Sequence, residues 1–123
     1  MKSILLVDDA PAVLFSLRSV LEGENFKVLE AGDGVQALDI LGTEAVDLIV
    51  TDLWMPKLDG VELLKRLRAG NATIKVIAIT GGGPHKPIDV SAALAETWGA
   101  DAVLHKPFDN ADLINAINRL LPS

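Results

Sequence analysis

Five short apolar runs punctuate the chain, at Ile4–Val7, Phe26–Glu30, Val46–Thr51, Lys75–Thr80 and Ala102–Leu104, and a stretch with helical spacing follows each one. The runs are continuous and rich in β-branched residues, as expected of strands buried on both faces. The intervening stretches repeat apolar residues every three or four positions. They are Val13, Leu14, Leu17, Val20 and Leu21; Val35, Leu38 and Leu41; Val61, Leu64 and Leu67; and finally Leu113, Ile117, Leu120 and Leu121. The fourth stretch, Ile88–Trp98, is Ala-rich, and its clearest apolar row is Val90, Leu94 and Trp98. Looser docking is expected there, with Trp98 as a core or interface anchor, the core being favoured. Strict alternation of strand and helix requires crossover connections, which are right-handed and give a parallel sheet covered on both sides. The expected fold is therefore α/β, a single doubly wound (βα)5 domain.

The punctuation agrees. Gly32-Asp33-Gly34 ends the second strand, Asp59-Gly60 opens the third helix, and Gly99 stands where a helix C′ glycine belongs. With 123 residues, half of them apolar, the chain supports one sizeable core, so residues 1–123 are expected to form one domain with no output domain. Seventeen acidic against 11 basic residues give a net charge of −6, which disfavours direct nucleic-acid binding. The absence of cysteine excludes disulfides and thiolate metal sites, and His85 and His105 are too few for a zinc cluster. The first apolar run is too short for a signal-peptide core or a membrane span, so a cytoplasmic protein without membrane contact is expected.

In open parallel sheets ligands bind beyond the carboxyl ends of the strands. Here those ends carry Asp8-Asp9, Asp52, Thr80 and Lys106. Three clustered carboxylates repel and raise one another's proton affinity unless a cation joins them. Magnesium suits an oxygen-only donor set and is commonly held by one or two carboxylates and a phosphate. Asp9 and Asp52 are the expected direct ligands, with Asp8 acting through water. Taken alone, Asp8-Asp9 also reads as an acidic pair favouring the dipole of the helix that opens near Pro11. A carboxylate is also a nucleophile toward phosphorus when the transferred charge is offset, and Lys106 and Thr80 supply a point charge and a hydroxyl donor for that purpose.

The set Asp8-Asp9, Asp52-Leu53-Trp54-Met55-Pro56 with Asp59-Gly60, Thr80, and Lys106-Pro107-Phe108 resembles the receiver domain of bacterial two-component response regulators, in order and across essentially the whole chain. The resemblance implies the flavodoxin-like strand order 2-1-3-4-5. It implies a Mg2+-dependent switch whose Asp52 is phosphorylated by a histidine kinase, a phosphotransfer protein or a small phosphodonor. The backbone carbonyl of Trp54 would complete the metal shell, and the Lys106–Pro107 peptide would be cis. Thr80 would move toward the phosphoryl group and reshape the face of the fourth helix, fifth strand and fifth helix. There a downstream target or output domain docks, or a phosphorylation-dependent dimer forms from the monomer. Such a domain phosphorylates and dephosphorylates itself and is not a turnover enzyme.

Two features depart from the family pattern. Relatives often place Tyr or Phe three residues before the lysine as a rotamer toggle, and this chain has the stiff, β-branched Val103 there. The loop after Thr80, Gly81-Gly82-Gly83-Pro84-His85-Lys86-Pro87, looks longer than usual and is rich in glycine. Either this loop is merely flexible, or it and the fourth helix order on phosphorylation in place of the aromatic toggle. Trp54 and Gly82 occupy positions that in relatives influence water access to the phosphoryl group.

Rival functions fit less well. A haloacid-dehalogenase-type phosphohydrolase needs a second aspartate where Trp54 stands, and a flavin phosphate would be repelled by Asp8-Asp9. A receiver-like interaction module that is never phosphorylated shares the fold but gives no reason for the complete acidic site.

Overall fold

The computed structural model describes residues 1–53, 60–70, 73–81 and 95–121. Five strands, β1 (Ser3–Val7), β2 (Lys27–Ala31), β3 (Leu48–Asp52), β4 (Lys75–Thr80) and β5 (Ala102–His105), form one sheet in the order β2-β1-β3-β4-β5. Every neighbouring pair is parallel. Helices α1 (Pro11–Gly23), α2 (Gly34–Thr43), α3 (Gly60–Ala69) and α5 (Asn110–Leu120) flank it. Of the fourth helix, α4, residues 95–97 are described.

Because side chains alternate across a strand, each strand feeds two cores. Ile4 and Leu6 of β1, Val50 of β3, and Ile77 and Ile79 of β4 pack with Leu14, Leu17 and Leu21 of α1 and Leu113, Ala116 and Ile117 of α5. Leu5, Val7, Ile49, Val76 and Ala78 point the other way, onto Ala37 of α2, Leu63, Leu64 and Leu67 of α3, and Ala95. All five residues of β1 and of β3 are buried, in keeping with their unbroken apolar runs. Truncating a core leucine such as Leu113 to alanine is worth about 2–5 kcal/mol at a buried site of this kind.

Four details differ from the pattern of the sequence. Phe26 precedes β2, because Asn25 takes φ +67° and the Phe26 amide closes the end of α1 on the Leu21 carbonyl at 3.2 Å. β3 starts at Leu48, after Asp47, whose carboxylate accepts the Ser3 amide at 2.7 Å and ties β3 to the start of β1. Val35 is exposed; Asp33 caps α2 by accepting the Gln36 amide at 2.8 Å, and this phase turns Gly34 and Ala37 inward instead. Trp98 is 40% exposed and no core anchor: it lies on the surface beneath Lys65 of α3, whose Nζ stands 4.7 Å from the ring centroid. Val90 and Leu94 of the same expected row lie outside the described residues.

The segment that leads from α4 into β5 is tied down by Arg68 of α3. Its guanidinium donates to the carbonyls of Ile74 and Gly99 at 3.0 and 2.6 Å and to Asp101 at 3.3 Å. Gly99 has φ +94°, the left-handed conformation that ends a helix and favours glycine. α5 begins with a reciprocal capping box between Asp109 and Asp112. Among the described residues, no helix is long and apolar enough to cross a membrane.

Candidate functional site

Strand order decides which strand ends meet. With β1, β3, β4 and β5 side by side, Asp8 just past β1, Asp52 closing β3, Thr80 closing β4 and Lys106 just past β5 share the carboxyl edge of the sheet. Each of Asp8, Asp9 and Asp52 offers a carboxylate oxygen within 4.8 Å of the other two. Asp8 and Asp52 are buried, at 4% and 8% exposure, and Asp9 is exposed.

The Lys106 ammonium reaches this cluster from the far side, with Nζ 3.5 Å from Asp52 Oδ2. Among the described residues, three carboxylates thus meet the Lys106 ammonium. Burial pushes the Asp8 carboxyl above the usual carboxylate range. The Ala10 amide and Lys106 act against that shift, while Asp52 and Asp9 add to it. The Ala10 amide donates to Asp8 Oδ1 at 2.8 Å, just ahead of the proline that starts α1. Asp8 thus accepts the amide of the residue that precedes α1, whose first turn holds no acidic residue, and still faces Asp52.

Thr80 is fully buried, and its Oγ1 has no hydrogen-bond partner among the described residues. An unpaired hydroxyl in such a place costs about 1–3 kcal/mol, so its retention calls for an explanation. The backbone of Thr80 is well tied: its carbonyl accepts the Lys106 amide at 2.8 Å, and the next strand pair aligns Asp52 with Ile79. The hydroxyl is thus held one residue beyond the level of Asp52.

Gly60 supports the acceptor from behind. Its amide donates to the Leu53 carbonyl at 3.1 Å, and an added Cβ would run into the Asp52 carbonyl and lie 2.8 Å from Leu53 Cα. The sequence marks Gly60 as a helix opener but gives no sign of this contact with Asp52.

The structure thus brings together Asp8, Asp9, Asp52 and Lys106, with Thr80 ending the strand between Asp52 and Lys106. Val103 is not among them; it is half-buried on β5, opposite Ala78, against the α2–α3 core. The Lys106–Pro107 peptide is cis. Trp54, Asp59, Gly82 and His85 lie outside the described residues, as does most of the expected ordering segment.

Comparison with known proteins agrees with this geometry. The family model of the response regulator receiver domain matches residues 4–118. Sporulation initiation phosphotransferase F of Bacillus subtilis is 36% identical over 121 residues, 98% of this chain and 94% of that protein. Transcriptional regulatory protein CpxR of Escherichia coli is 40% identical over 98% of this chain, which spans half of CpxR's length. The structure of response regulator protein TrrA from Thermotoga maritima in complex with Mg(2+)-BeF superimposes with a TM-score of 0.82 at 30% identity, covering 98% of this chain and all of that one.

Proposed function

Because the chain belongs to the response regulator receiver domain family, we propose that it is a signalling switch whose phosphoryl acceptor is Asp52. The observation that carries this reading is the meeting of three carboxylates with the Lys106 ammonium 3.5 Å from Asp52. An Asp52 carboxylate oxygen attacks phosphorus and forms an acyl phosphate. The donor's bond to phosphorus, P–N in a phosphohistidine or P–O in acetyl phosphate, breaks and its electron pair leaves with the donor. Lys106 offsets charge on the phosphoryl oxygens, and the Thr80 hydroxyl gains the acceptor it lacks at rest.

An all-carboxylate donor set that includes a buried, reluctantly ionised Asp8 fits Mg2+. Asp9 and Asp52 would hold the ion directly and Asp8 through water; the family resemblance adds the Trp54 carbonyl. The bound ion supplies charge neutralisation for the phosphoryl group.

The phosphoryl donor is a histidine kinase or phosphotransfer protein, and the readout is a changed α4-β5-α5 face for a protein target or output domain. The switch is cytoplasmic, resets itself, and is no turnover enzyme. Differential contacts with the phosphoryl group in two existing states suffice to drive it. Incubation with Mg2+ and acetyl phosphate, followed by intact mass, is expected to show one added phosphoryl group, absent in Asp52→Asn. No gain from either acetyl phosphate or a phosphorylated kinase would favour a passive interaction module.

A further inference from the structure

The acceptor lies at the carboxyl edge of the sheet, and the chain that follows Thr80 returns to the amino edge before it enters β5. At that amino edge α3 holds the end of α4 with two cations three residues apart. Lys65 stands over the Trp98 ring, and one turn further on Arg68 joins three separate segments. Its Nη1 donates to the carbonyl of Ile74, just before β4, and its Nη2 donates to the carbonyl of Gly99, just after α4, and to Asp101, just before β5. The same Asp101 oxygen accepts the Val76 amide at 2.8 Å, and the Asp101 amide donates to the Val76 carbonyl at 2.8 Å.

A guanidinium is always charged and donates through a rigid fork, so these bonds are of the stronger kind. The side chains of Arg68 and Asp101 keep 26% and 28% exposure, and water competes for the pair less than at an open surface. Ala95 is fully buried in the α2–α3 core, and the Ala100 amide closes on its carbonyl at 2.9 Å. The end of α4 is thus held from α3, from β4 and from its own last turn. At the opposite edge the buried Thr80 hydroxyl has no partner among the described residues and has a bond to gain.

We propose that Arg68 is the anchor of the switch: it fixes the end of α4 and the start of β5 at the amino edge, and so confines the phosphoryl-driven change to the carboxyl edge, where Thr80 and Lys106 stand. The proposal rests on the phosphoacceptor reading for the change and on the Arg68 contacts for its limit. A region with one strongly held end and one weakly satisfied end rearranges at the weak end first. A partner that reads the state of Asp52 therefore does so at the carboxyl-edge part of the α4-β5-α5 face, and the part beside Arg68 is the same in both states.

Amide hydrogen exchange with and without Mg2+ and the phosphoryl mimic beryllofluoride tests this at both edges. In the unaltered protein the Lys106 amide, bonded to the Thr80 carbonyl, is expected to change its exchange rate by about tenfold or more, and the Ala100 and Asp101 amides by less than about twofold. Arg68→Met keeps an apolar stem and removes the guanidinium. At rest it is expected to speed exchange at Ala100 and Asp101 by about tenfold or more, the effect of losing one hydrogen bond to a charged group, with Ile117 of α5 unchanged. With beryllofluoride the response is then expected to spread to Ala100 and Asp101. In the unaltered protein, a response at Ala100 and Asp101 as large as that at Lys106 overturns the proposal. So does an Arg68→Met protein in which those two amides stay protected and unresponsive, or in which Ile117 is accelerated equally. Silence at every amide, Lys106 included, refutes the phosphoacceptor reading instead, and the anchor is then decided by the resting exchange of Arg68→Met alone.

Discussion

Replacing Thr80 by valine separates what the resting fold wants from what the switch needs. Thr80 is 0% exposed and its Oγ1 is unpartnered among the described residues, so the resting state carries the desolvation cost of a buried hydroxyl, about 1–3 kcal/mol. Valine keeps the β-branched shape and replaces the hydroxyl with a methyl group. The methyl is somewhat larger, and the resulting crowding offsets part of the gain. A net stabilisation of about 1 kcal/mol is expected. With an unfolding entropy of about 2.1 cal/mol/K per residue over 123 residues, this raises the Tm by about 4 °C. Calorimetry and urea unfolding without Mg2+ or phosphodonor measure it. The same variant is expected to lose part of the stabilisation that Mg2+ and beryllofluoride give the wild type, by the roughly 1.5–3 kcal/mol of a hydrogen bond to a charged group. A Thr80→Val protein destabilised by 1 kcal/mol or more would refute the reasoning, because it would mean that the hydroxyl is already satisfied at rest.

Asp8→Asn is expected to raise metal-free stability at neutral pH. The folded-state pKa of Asp8 is raised, chiefly by burial, so its contribution to stability is present below the ordinary carboxylate pKa and is lost as pH rises through the raised value. The advantage of the variant, followed by urea unfolding at several pH values, should shrink as pH falls through that window toward about 4. Mg2+ should raise the Tm of the wild type in proportion to the logarithm of its concentration once the site saturates, and Asp9→Ala should lose most of this response in a thermal shift titration. Gly60→Ala should cost about 1–3 kcal/mol by overpacking against the Asp52 backbone and should also weaken Mg2+ binding by moving that carboxylate, as denaturant unfolding and calorimetric titration would report.

The parts of the fold set by local pattern were legible in the sequence, and those set by phase or by neighbours were not. β1 and β4 follow their apolar runs closely, and the alternation of elements correctly implied a parallel doubly wound sheet. The order of the strands came from family resemblance, because periodicity says nothing about which strands are adjacent. Val35 and Trp98 misled because an apolar residue near a helix end can satisfy the spacing rule yet lie off the buried face. The cap at Asp33 sets the phase of α2, and Trp98, just before Gly99, stacks with Lys65 instead of the sheet. At the site, the residue types and their places at strand ends were readable. The contact of Gly60 with Asp52 was not, since it joins residues through a bare Cα atom that leaves no trace in composition.

The central claim is that a covalent phosphoryl group resides on Asp52. Acyl phosphates are reduced by borohydride, which converts a phosphorylated aspartate to homoserine. After exposure to Mg2+ and acetyl phosphate, borohydride reduction and peptide fragmentation should place homoserine at position 52, with Asp8 and Asp9 unchanged. Homoserine at position 8 or 9, or at none of the three although a phosphoryl group has been incorporated, would contradict the account.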